Sequence, residues 1–136
     1  MSTSGFGAMA VIHAADAMLQ ALGGEAITIL FPLLTLPNDP SAQLGLQDPG
    51  TEEVSFSPVA VRTLNTPSTG PRRQLEFLIS ATSVAQAVIS QNAASADALF
   101  DSALAVNYDN TLFRIANATA EYFAGTAYLY KVTAVE

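Results

Sequence analysis

The residues able to do acid, base or ligand chemistry in this chain are few. A single histidine, His13, and the absence of cysteine exclude any constellation that needs two imidazoles, a thiolate or a disulfide framework. His13 stands three residues before Asp16, a spacing that on a helix makes a surface pair rather than a catalytic dyad. Glu52 and Glu53 are adjacent carboxylates, the residue type that serves acid and base roles, but they fall in a Pro- and Gly-rich stretch where neighbouring acids are simply solvated. Asp97 and Asp101, four apart, share a helix face yet have no third ligand for a cation. No nucleophile elbow, Walker A loop or dinucleotide-binding glycine pattern occurs. The expectation is a chain without catalytic residues, cofactor or metal, and so not an enzyme.

The 136 residues make one domain with one core. Charged residues are 12% of the chain, about half the roughly 25% usual for soluble domains. Spread over a folded surface of about 6,800 Å², 12 acidic and 5 basic residues leave about one charge per 400 Å². A surface so poor in charge suits a subunit that its neighbours cover, and an assembly component is inferred. The net charge of −7 argues against a protein that grips nucleic acid, which needs a basic face; an acidic chain can still let DNA slide past. Mean hydropathy is +0.33, but no apolar run reaches the roughly 18 to 20 residues of a membrane span. No Lys or Arg precedes Arg62, so a secretory signal peptide is not expected.

The elements that would position these groups read as follows. Residues 8–22 carry Ile12, Ala15, Leu19 and Leu22 at helical spacing, with Ser4 as a possible cap and Gly23-Gly24 as a left-handed stop. Residues 25–31 mix β-branched and aromatic residues in near alternation, ended by Pro32. Residues 35–53, rich in Pro, Gly, Asn and Asp, form a long excursion loop, either a surface loop or an arm that orders against a neighbour. Residues 53–64 and 72–81 alternate as an antiparallel hairpin joined by a turn-rich connection at 65–71, with Pro58 at an edge or bulge. The Ala-rich stretch 83–104 reads as two short helices split near 92–95. Strands return at 111–116 and 127–135. Helix first and strands dominant give an α+β protein, a small, mainly antiparallel β-barrel or sandwich with an N-terminal helix and short helical insertions.

The tail is the most patterned part. Val106-Asn-Tyr-Asp-Asn-Thr-Leu-Phe-Arg-Ile-Ala-Asn117 sets a turn pair, Asp109-Asn110, between two apolar segments, and Gly125-Thr-Ala-Tyr-Leu-Tyr-Lys-Val-Thr-Ala-Val135 closes a β-meander over residues 106–135. This layout resembles the head-closure, or stopper, proteins of tailed bacteriophages. The helix running into Leu22-Gly-Gly-Glu-Ala-Ile-Thr-Ile29 and the Pro58-Val-Ala-Val-Arg62 strand are similar to the same family.

The resemblance implies a fold and a position rather than a reaction. The fold is a β-barrel with one or two helices, and the position is a homo-oligomeric ring in the neck of the virion, below the portal and adaptor, that helps close the DNA channel and joins head to tail. Its partners would be the portal or adaptor protein, tail proteins and, in passing, genomic DNA, with no membrane; assembly would take place in the host cytoplasm. Adaptor or tail-terminator is the nearest rival role, and a small-ligand-binding β-barrel, with a cavity beside Phe77, Phe113 and Tyr128, is the rival of a different class. Two residue sets follow. Arg62, Arg72 and Arg73 are candidates for the DNA channel or for ion pairs between subunits, and Ile12, Leu19 and Leu22 mark a candidate interface helix.

Overall fold

A computed structural model describes residues 3–32, 51–64 and 73–136. The helix α1 spans Thr3–Ala21, and six strands follow: β1 Glu25–Pro32, β2 Thr51–Leu64, β3 Gln74–Ser80, β4 Ala105–Tyr108, β5 Thr111–Phe123 and β6 Thr126–Val135. Between β3 and β4 lie two short helices, α2 (Ala81–Ser90) and α3 (Ala96–Ser102). The strands close into an antiparallel barrel in the order β1-β2-β3-β6-β5-β4, so of barrel and sandwich the chain forms the barrel. Closure removes the exposed edges that an open sheet of this size would present.

Alternation decides which residues fill it. Along β3, Leu75, Phe77 and Ile79 point inward, as do Ile27, Ile29 and Phe31 on β1 and Val132 and Ala134 on β6. Phe77 lies at the centre, its ring edge-on to Phe113 at 6.5 Å and to Tyr108 at 5.7 Å. Val84 and Ala87 of α2, with Leu99 and Phe100 of α3, join the same core. Both helices are started by side-chain caps: Ser80 Oγ accepts from the Thr82 N–H, and Ser95 Oγ from the Ala98 N–H. Asn92, at φ 53°, turns the chain between them.

The turns match their chemistry. Asp109 and Asn110, at φ 54° and 58°, make the two-residue connection of β4 to β5, which demands left-handed backbone at both positions. Pro58 stands at a register break, where Ile27 faces Phe56 and Glu25 faces Val59; the extra residue on β2 is a bulge, the place in a paired strand that tolerates a missing N–H.

Several boundaries differ from the sequence reading. The helix starts at Thr3, so Ser4 lies inside it rather than capping it, and it stops at Ala21. Thr51–Glu53 pair with Leu30–Pro32 as the start of β2 rather than belonging to a loop; the rest of that excursion, 35–50, lies outside the described residues, as does the 65–71 connection. β3 begins at Gln74 and gives way to helix at Ala81. The polar stretch after Ala116 is strand: β5 continues to Phe123, because β6 supplies it with partners as far as the Ala124-Gly125 turn.

Candidate subunit interface

The helix α1 lies on the outside of the barrel. Leu19, fully buried, packs against Ala60 of β2 and Leu129 of β6, with Leu78 and Tyr128 partly buried against this cluster. Ala15 is buried on the same stripe, Ile12 is half-buried, and Leu22 is 60% exposed because the chain turns away after Ala21. That turn has the Schellman pair of bonds: the Gly24 N–H reaches the Leu19 carbonyl at 3.0 Å and the Gly23 N–H the Gln20 carbonyl at 3.2 Å, with both glycines at positive φ, 128° at Gly23 and 58° at Gly24. A Cβ at Gly24 would collide with the Gln20 side chain. Asp16 anchors the helix to the barrel, its two carboxylate oxygens accepting from Ser80 Oγ at 2.8 Å and Thr82 Oγ1 at 3.1 Å. It faces those hydroxyls, while His13 is exposed.

The outer side of α1 is unusual in its chemistry. Among the residues of α1 whose side chains are described, the exposed ones are Met9, Ala10, His13, Ala14, Ala17, Met18, Gln20 and Ala21, with none of the carboxylates and lysines that normally solvate a surface helix.

The cationic candidates are tied up within the subunit. Arg62 sits opposite Glu76 across the β2–β3 pair and binds it at 2.7 Å. Arg73 Nε donates to Glu136 Oε2 at 2.9 Å, Nη2 reaches Thr111 Oγ1 at 3.3 Å, and the guanidinium lies 5.3 Å from the centre of the Phe113 ring. The hydrogen bond to Glu136 holds the Arg73 pKa above its ordinary value, against an opposing effect of desolvation. Arg72 lies outside the described residues. Lys131 pairs with Glu121 at 3.1 Å. Arg114, which the sequence reading passed over, has no ion-pair partner among the described residues; an outward position on a strand of the terminal meander was the available signal.

The acidic candidates do not converge. Glu52 accepts from Gln91 Nε2 at 3.1 Å and so fixes the end of α2. Asp97 and Asp101 line an open groove of about 500 Å³ between α3 and the Arg114–Ala118 stretch of β5. Among the described residues no three His, Asp or Glu side chains form a cluster that would hold a metal ion. Tyr108 donates to Glu25 Oε1 at 3.2 Å, and burial, then this bond, pushes its phenol pKa up; burial does the same to Tyr130. Tyr128 packs with the Leu19, Ala60 and Leu129 cluster rather than with the core around Phe77 and Phe113, which fill the barrel's centre.

No helix among the described residues is long and apolar enough to cross a membrane. Comparison of the chain with protein-family models, with curated proteins and with solved structures returned no match.

Proposed function

We propose that this chain is a structural subunit of a tailed-phage neck, forming a homo-oligomeric ring that helps close the DNA channel and joins head to tail. The observation that carries this reading is the uncharged outer face of α1 on a barrel whose interior is occupied by Phe77, Phe113 and Tyr108. The surface asks for a covering neighbour, and the filled centre leaves no room for a small ligand inside the barrel. The charge of −7 per subunit, repeated around a ring, gives a lumen that repels phosphate and does not hold moving DNA. Stopper, adaptor and tail-terminator all fit this physics; the terminal meander favours the stopper by resemblance.

Mass spectrometry of purified, DNA-filled particles tests the proposal. The chain is expected at a fixed stoichiometry per particle, and its absence would overturn the reading. A monomer in dilute solution would not, since a ring that forms on a template need not form alone.

A further inference from the structure

The barrel's closure ends where β4 does. Of the 13 residues of β5, only Thr111, Leu112 and Phe113 pair with β4, whereas β6 pairs the strand from Arg114 to Phe123. No backbone bond from any other described element reaches β5 between Arg114 and Phe123, so the margin turned away from β6 carries free N–H and C=O groups. The open groove of about 500 Å³ runs beside its first half, with Asp97, Phe100 and Asp101 of α3 on one side and Arg114 to Ala118 on the other. Most guards of an open edge are missing from the middle of this margin: Ile115 to Ala120 include no charged residue and no proline. The register slips at Ala116, and from there Asn117 to Glu121 run in regular register, the length of an ordinary strand.

We propose that the free margin of β5 takes an extended segment of a partner protein as an added strand, and that this segment carries lysine or arginine. The proposal goes beyond the neck reading and does not depend on it. The occupant follows from the chemistry of the margin and its groove. Unpaired N–H and C=O groups along a strand are satisfied together only by another extended backbone, which supplies main-chain bonds while the flanking side chains choose the sequence. Asp97 and Asp101 are exposed and neither takes part in an ion pair among the described residues, against a single guanidinium, Arg114, in the same groove. Two carboxylates against one cation leave the groove negative, and a basic residue on the incoming strand complements it. A second copy of the chain is the poorer occupant, because it brings the same carboxylates and a further net charge of −7 to the contact.

A random peptide library displayed on yeast and selected on the purified chain supplies the probe. The selected peptides should be enriched in Lys and Arg over the starting library, and selection on the Asp97→Lys, Asp101→Lys double variant should enrich Asp and Glu instead. Asp97 stands in the first turn of α3, so the double variant may lose that helix; Asp101→Lys alone, which puts a cation in the last turn where the helix dipole favours it, should still lower the basic enrichment. A selected peptide made synthetically should slow exchange of the margin-facing amides in residues 114–121 by about tenfold or more and leave those of β3 unchanged. N-methylation of alternate peptide residues should abolish binding in one phase and spare it in the other, since the N–H groups of an added strand alternate between its two sides. A selected pool with no basic bias, a bias indifferent to the aspartate variants, protection elsewhere than residues 114–121, or equal loss in both N-methylation phases would overturn the proposal. Protection of the same amides on concentrating the chain alone would overturn it too, in favour of a second copy. The presence or absence of the chain in virions decides the neck reading separately.

Discussion

Arg73 and Glu136, sixty-three residues apart in sequence, clasp each other twice. The Glu136 N–H donates to the Arg73 carbonyl at 2.9 Å, and Arg73 Nε returns a bond to the Glu136 carboxylate at 2.9 Å. The pair extends the β3–β6 ladder one step past Gln74 and Val135 and lays a guanidinium beside Phe113. An arginine so engaged is a poor candidate for gripping DNA, and its first role is to tie Glu136 to the barrel.

Arg73→Ala should accordingly lower the melting temperature of the isolated chain by a few degrees. Part of that loss should disappear at high salt, because the ion pair is exposed and screened. Thermal unfolding of both forms at low and high ionic strength measures it, and an unchanged melting temperature would show the clasp to be idle.

Leu19→Asp places an unpaired carboxylate in a fully buried site between Ala60 and Leu129, at a cost of several kcal/mol. The exposed counterpart Leu22→Asp should leave monomer stability within about 0.5 kcal/mol of wild type. Denaturant titration of the two variants separates the covered stripe of α1 from its free end; equal losses would mean the helix packs on another face.

Phe77→Ala removes the ring on which Phe113 and Tyr108 both rest. The expected destabilisation is about 3 to 5 kcal/mol, a large share of the stability of a small domain. A loss under about 1 kcal/mol, below the range for truncating a buried aromatic, would show the centre of the barrel to be loosely filled.

Tyr108 and Tyr130 carry phenols whose pKa burial raises. In the unfolded chain each ionises near pH 10, before it does so in the barrel, so the unfolded state binds fewer protons there and stability falls as pH rises past that point. Below it the contribution is fully present. Unfolding free energy measured from neutral to strongly alkaline pH should show this decline, and the Tyr108→Phe, Tyr130→Phe double variant should show a shallower one. Parallel curves would put the alkaline loss elsewhere.

Local chemistry made much of this fold legible. The stripe of Ala15 and Leu19, the glycine stop after it, the Asp109-Asn110 turn and the split between α2 and α3 all rest on interactions within a few residues, which spacing reports directly. Pro58 was readable as a bulge because a missing N–H has few places to go. What stayed hidden depends on distant partners. Asn117, Ala118, Thr119 and Ala120 have little combined preference for strand, and only their alignment with β6 residues 130 to 133 makes them one. Leu22 follows the helical spacing yet falls past the helix end, so periodicity overcounted the covered face by one residue. Of the candidate arginines, Arg62 and Arg73 find intramolecular carboxylates that no spacing rule could name.

The closure of the barrel depends on its shortest strand. β4 meets β1 through three residue pairs and β5 through three more, whereas β3 and β6 share seven. Backbone amides at Ala105–Tyr108 should therefore exchange with solvent faster than those of β3, since the wall parts most easily where the fewest bonds must break together. Each such opening converts a sealed cylinder into a curled sheet with two bare margins. The four residues that shut the molecule thus also govern how often it presents edges on which copies can aggregate.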